Sequence, residues 1–147
     1  MLKGFYFVTD ESLSKTGVIS DVEEASRAGV CAVQYRNKNA STRLMFEEAV
    51  KLRQIYRKGY FIINVRLDIA QAVKADGVHL GQFDIPVNVA RKILGRNSII
   101  GLTVHSFNQA EEAVKSGVDY LGVSPIFSTD TKTDAGKPVG VNLISRI

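Results

Sequence analysis

A single cysteine, Cys31, in 147 residues excludes an internal disulfide. It sits in the apolar stretch Val30 to Val33, which predicts a buried thiol in a reducing compartment, not a nucleophile. No Cys/His cluster has zinc-ligand spacing, no glycine-rich phosphate loop occurs, and no nucleophile elbow is present. Those absences argue against nucleotide hydrolysis and serine hydrolase chemistry. No charged leader precedes a signal-length apolar run, and no later run is long enough to span a bilayer, so the expectation is a cytoplasmic protein with no membrane association. The net charge of +4 suits an anionic ligand, but the basic residues are scattered, and nothing indicates nucleic acid.

What is present is enough for one soluble domain over residues 1–147, with 45% hydrophobic and 23% charged residues. The pattern alternates strands and helices. Strands are expected at Phe5 to Val8, Ala32 to Tyr35, Phe61 to Ile63, Gly77 to Leu80, Ile99 to Val104 and Tyr120 to Phe127. Ser20, three residues before Glu23, predicts a capping box for the first helix, and Ser106 with Gln109 predicts another. Ser41 opens a long helix with Met45, Ala49, Leu52 and Tyr56 on one face, and Pro86 starts a helix that buries Val89, Ala90, Ile93 and Leu94. A loop from Ser128 to Gly140 and a helix from about Val141 complete the reading. The triplets Ala28-Gly29-Val30, Asp76-Gly77-Val78 and Ser116-Gly117-Val118 each place a glycine between a helix and the next strand, where a left-handed turn suits it. Six such units imply a parallel α/β architecture, either an open sheet or part of a βα barrel.

In that architecture the residues just after the strands gather on one face. They are Gln34, Arg36 and Lys38; Asn64; Gln82 and Asp84; Thr103 and His105; and Thr129, Thr131 and Lys132. The cations supply charge-assisted donors for phosphate oxygens and the threonines neutral ones, which points to a phosphorylated or diphosphorylated substrate. Taken singly, each is an ordinary solvated strand end; taken together, they favour a site. Asp84 is either a magnesium ligand or a cap of the helix at Pro86. His79, inside an apolar strand, is expected to be a satisfied interior histidine, and His105 is the better candidate acid or base.

On these residues the chain resembles the thiamine-phosphate synthase and thiazole tautomerase family, from Phe7-Val8-Thr9-Asp10 to its last residue. Val33-Gln34-Tyr35-Arg36-Asn37-Lys38 is similar to the family's Gln-x-Arg-x-Lys diphosphate clamp. Ala75-Asp76-Gly77-Val78-His79-Leu80-Gly81-Gln82 with Asp84 is similar to its strand-four signature, and the stretch from Gly122 to Lys132 to its strand-six loop. The resemblance implies a TIM-type (βα)₈ barrel and a transferase of thiamine biosynthesis. That enzyme couples hydroxymethylpyrimidine diphosphate to thiazole phosphate, with magnesium, and releases pyrophosphate.

Carried over, Gln34, Arg36, Lys38 and Asn64 would hold the pyrimidine substrate and its diphosphate with Lys132 beside them. Asp84 would bind the metal, Thr103 would face the pyrimidine, and Thr129 and Thr131 would hold the thiazole phosphate. A tautomerase would use His105. The sequence departs from the family at Val65, where an acidic metal ligand is usual, and at Phe83, where an acidic residue is common. It also has about six βα units, so strands seven and eight are expected to be missing. The quaternary expectation is a homo-oligomer covering the open barrel edges. Alternative readings are a thiazole tautomerase and a degenerate or truncated phosphate-binding, oligomerising fragment without turnover.

Overall fold

The computed structural model describes residues 2–129 and 136–147. Six parallel strands, β1 (Tyr6–Val8), β2 (Ala32–Tyr35), β3 (Tyr60–Asn64), β4 (Gly77–Leu80), β5 (Ile99–Val104) and β6 (Tyr120–Val123), pair in sequence order. Each is joined to the next by a helix: α1 (Val18–Arg27), α2 (Thr42–Ile55), α3 (Leu67–Ala72), α4 (Val87–Leu94) and α5 (Phe107–Lys115). The helix expected from about Val141 is a short 3₁₀ segment, Val141–Arg146. Strand order one to six with a helix between successive strands is the order of a (βα) barrel. The sheet curls until the Tyr6 and Tyr120 hydroxyls on its two edge strands meet at 2.7 Å. It is an incomplete TIM-type fold, and none of the helices among the described residues is long and apolar enough to cross a membrane.

The helices cover the outer face of the sheet. Val22 of α1, Ala49 and Leu52 of α2, and Ala90 of α4 have no exposed surface and pack in one cluster with Val33, Tyr35, Phe61, Ile63, Val78, Leu80 and Ile100 of the strands. Burying each of the larger of these side chains contributes about 1.5–3 kcal/mol, which is what holds α1 to α4 on the curl. A smaller cluster of Val104, Ala110 and Ala113 seats α5.

At the end of the sheet where the strands begin, one motif occurs twice. Asp76, just before β4, accepts both guanidinium nitrogens of Arg53 from α2 and the backbone N–H of Phe61. Asp119, just before β6, accepts Arg91 of α4 and the N–H of Ile100. Each carboxylate therefore ties a helix to the first peptide of a neighbouring strand, a stabilising role suited to that face of a barrel.

Several local expectations are corrected. α1 starts at Val18 after Gly17, whose φ of 91° only glycine adopts readily, so Ser20 lies inside the first turn and caps nothing. Ser41 and Ser106 do cap, accepting from the N–H groups of Leu44 and Gln109. β6 stops at Val123, shortly before Pro125, which has no N–H to extend a ladder. Of the three glycine triplets, Gly29 and Gly117 take positive φ, but Gly77 opens β4. A Cβ on Gly77 would lie 1.9 Å from the Ile99 carbonyl oxygen, so it is required there for close strand approach.

Candidate active site

The opposite end of the sheet holds a cavity of about 660 Å³. Gln34, Arg36 and Lys38 line it from β2 and the residues after it, Asn64 and Val65 from β3, Gln82 and Asp84 from β4, and Thr103 and His105 from β5. Eight expected site residues from four strands thus face one space: Gln34, Arg36, Lys38, Asn64, Gln82, Asp84, Thr103 and His105. Thr129 is exposed and not part of this lining. Thr131 and Lys132 lie outside the described residues.

Arg36 is held in place before any ligand arrives. Its Nη1 donates to Asp10 Oδ2 at 2.8 Å, and the side chains are 12% and 19% exposed, so the pair is largely shielded from water. The buried Thr9 hydroxyl accepts from the Arg36 N–H at 2.9 Å and donates to the Arg36 carbonyl at 3.2 Å, locking the backbone as β2 ends. Asp10 is itself clamped by the Ser12 hydroxyl, and this bond, with Arg36 adding to it, holds its carboxyl below the ordinary range. The result is a fixed guanidinium with donors left over for an anion.

Asp84 does not cap α4. Pro86 occupies that position, and Asp84 Oδ2 instead accepts the Gly81 N–H at 2.6 Å, folding the loop after β4 back on itself. Asn64 donates to the His79 carbonyl at 3.3 Å, and Gln82 to the Thr103 carbonyl at 2.6 Å, so both amides brace adjacent strand ends. Val65 has φ of 63°, a conformation strongly unfavourable for a β-branched residue, in the turn that leads from β3 to α3. His79 is the interior histidine expected: its ring nitrogens lie 2.9 Å from the Tyr120 hydroxyl and 2.8 Å from the Thr103 hydroxyl. His105 is exposed at the rim, with Nδ1 donating to the Ser124 carbonyl at 2.5 Å.

Tyr6, Tyr120 and Asp10 were not among the residues singled out. The tyrosines lie in apolar strands and read as core, although alternation along β1 puts Tyr6 and Val8 on one face, and both line the cavity.

The family model described as thiamine monophosphate synthase matches residues 5–147. The chain belongs to the thiamine monophosphate synthase family. It is 55% identical to a thiamine-phosphate synthase of Methanosarcina mazei over 137 residues, 92% of this chain and 57% of that protein. A thiamine-phosphate synthase of Chloroflexus aurantiacus is 48% identical over 93% of this chain and 64% of its own length. Among solved structures, a thiamine phosphate pyrophosphorylase from Pyrococcus furiosus superposes with a TM-score of 0.79 at 44% identity. The superposition covers 86% of this chain and 62% of that one. The chain therefore spans about six tenths of the length of these thiamine monophosphate synthase relatives.

Proposed function

We propose that this chain is a thiamine-phosphate synthase, a transferase, and that its cavity holds hydroxymethylpyrimidine diphosphate for attack by the nitrogen of thiazole phosphate. The observation that carries the reading is the convergence of Gln34, Arg36, Lys38, Asn64, Asp84 and Thr103 on one space at the carboxyl ends of the strands. Arg36 and Lys38 supply charge where a leaving diphosphate needs it, and Gln34 and Thr103 supply neutral polar groups for a heterocycle.

The carbon–oxygen bond to the diphosphate breaks, the aminopyrimidine ring stabilises the resulting cation, and the thiazole nitrogen donates its electron pair to that carbon. Pyrophosphate leaves and no protein nucleophile is needed, so the residues act by positioning and by charge. Thr129 and Thr131 belong to the thiazole-phosphate side of this proposal, and Lys132 to the diphosphate side. A cytoplasmic setting goes with phosphorylated substrates.

Magnesium fits Asp84 as a single-carboxylate site. Gly81 occupies one lone-pair direction of Oδ2, Oδ1 has no protein partner among the described residues, and a diphosphate would add further oxygens. Bound there, magnesium would offset charge on the diphosphate.

The test is calorimetric titration with pyrophosphate and with the pyrimidine diphosphate, in the parent and in Arg36→Ala. Loss of a charge-assisted contact of about 2 kcal/mol weakens binding roughly thirtyfold. Equal affinity in the two proteins would reject Arg36 as the diphosphate ligand.

A further inference from the structure

A chain of hydrogen bonds runs through the interior of the curl from one side of the cavity to the other. Gln34 Nε2 donates to the Tyr6 hydroxyl at 2.9 Å, Tyr6 and Tyr120 share a bond of 2.7 Å, Tyr120 meets His79 Nδ1 at 2.9 Å, and His79 Nε2 meets Thr103 Oγ1 at 2.8 Å. The members come from β2, β1, β6, β4 and β5, and both terminal side chains line the cavity.

A hydroxyl carries one proton and can accept two, and a neutral imidazole has one donor and one acceptor nitrogen. The Tyr6 hydroxyl accepts from Gln34 and has Tyr120 as its only other side-chain partner among the described residues, so hydrogen-bonding its proton sends that proton to Tyr120, and this sets the remaining directions. With Gln34 donating to Tyr6, the Tyr6 proton goes to Tyr120, and the Tyr120 proton goes to His79 Nδ1. His79 is then the Nε2–H tautomer and donates to Thr103. That leaves the Gln34 carbonyl oxygen as an acceptor and the Thr103 hydroxyl proton as a donor, each with no other protein partner among the described residues.

We infer that Tyr6, Tyr120 and His79 are positioning residues that set the hydrogen-bond polarity of the cavity, making Gln34 an acceptor and Thr103 a donor. The cavity then selects a heterocycle that offers one N–H donor and one ring-nitrogen acceptor. An aminopyrimidine has both, whereas an oxo group in place of the amino group turns that donor into a carbonyl acceptor and, in the lactam form, places a proton on a ring nitrogen. The inference rests on the synthase reading for its ligand but not for the relay itself.

Two further observations support the relay. Burial pushes the Tyr6 and Tyr120 hydroxyls above the ordinary phenol range, chiefly by desolvation, so both stay protonated and able to donate. Glycines make room for its members: a Cβ on Gly101 would lie 2.1 Å from the Tyr120 ring, and one on Gly122 would lie 2.8 Å from the His79 ring.

The experiment has two arms. Nitrogen NMR of isotope-labelled histidine in the ligand-free protein reads the His79 tautomer, which is expected to be Nε2–H in the parent and mixed in Tyr6→Phe, a residue His79 does not touch. A merely structural role for Tyr6 would not move that signal in a folded protein. The second arm compares affinity for the aminopyrimidine diphosphate with that for its oxo analogue. The parent's preference is expected to fall by about tenfold or more in Tyr6→Phe and in Tyr120→Phe, while binding of pyrophosphate alone is retained. An Nδ1–H tautomer in the parent, or a tautomer and a preference that Tyr6→Phe leaves unchanged, overturns the relay. Failure of the parent to bind either diphosphate would overturn the synthase reading instead, and the tautomer arm would still decide the relay.

Discussion

Tyr120 folds back across its register partner Gly101, so closely that a Cβ at position 101 would sit 2.1 Å from a ring carbon and 2.5 Å from the hydroxyl. The ring lies inside the curl, 5.7 Å from the Tyr6 ring and 5.4 Å from the His79 ring. Gly101→Ala should therefore displace Tyr120 and lose its bonds to both. Overpacking of this kind costs about 1–3 kcal/mol. The expected result is a lower denaturation midpoint together with lost near-ultraviolet tyrosine signal, and an unchanged midpoint would show that the ring has another place to go.

The layout of the candidate site is largely legible in the sequence. Strand ends were placed by apolar runs, and the rule that parallel strands present their carboxyl ends together then joined Gln34, Arg36, Asn64, Asp84 and Thr103. Three kinds of information were not legible. Tyr6 and Tyr120 contribute through hydroxyls that point inward, and a tyrosine in an apolar strand looks like core. The start of α1 was misplaced because Ser20 and Glu23 have capping spacing, yet the backbone turns at Gly17. The need for glycine at positions 77 and 101 comes from neighbouring strands, through the Ile99 carbonyl and the Tyr120 ring, and no local pattern records that.

The Asp10 clamp on Arg36 predicts a pH dependence. The Ser12 hydroxyl donates to Asp10 Oδ1 at 2.6 Å and is the largest reason why this carboxyl lies below its ordinary value. Because the folded-state pKa is lowered, the stabilisation is complete above the unfolded-state value and is lost as pH falls through the folded one. Ser12→Ala should be less stable than the parent by about 1 kcal/mol at neutral pH and should converge on it in acid. Urea midpoints measured from neutral to strongly acidic pH check this, and a constant gap would assign the loss to something other than Asp10 ionisation.

His105 separates synthase from tautomerase. Its Nδ1 faces the Ser124 carbonyl, which can only accept, so the proton sits on Nδ1 and Nε2 is the basic nitrogen of the neutral ring. General acid–base catalysis contributes roughly 10²–10⁴-fold, whereas coupling depends on orientation and charge. His105→Ala should accordingly keep thiamine-phosphate formation within about tenfold of the parent. A hundredfold fall in thiazole tautomerisation, with coupling absent from the parent, would establish the other enzyme.

Val65 couples backbone strain to the chemistry of the site. Its N–H donates to the His79 carbonyl at 2.9 Å, which fixes the turn after β3 and holds this β-branched residue at φ of 63°. For a residue with a branched Cβ that conformation costs about 1–2 kcal/mol, while asparagine and aspartate tolerate it through their short polar side chains. Val65→Asn should thus raise the unfolding free energy by about 1 kcal/mol with no change in metal dependence. Val65→Asp should give a similar gain and, in addition, tighten magnesium-dependent binding of pyrophosphate, because a second carboxylate would line the cavity that Asp84 already lines. Comparing the two variants in thermal unfolding and in magnesium titration separates the effects. A gain in metal dependence shared by Val65→Asn would trace it to relief of the backbone, and equal dependence in Val65→Asp and the parent would move the metal site away from Asp84.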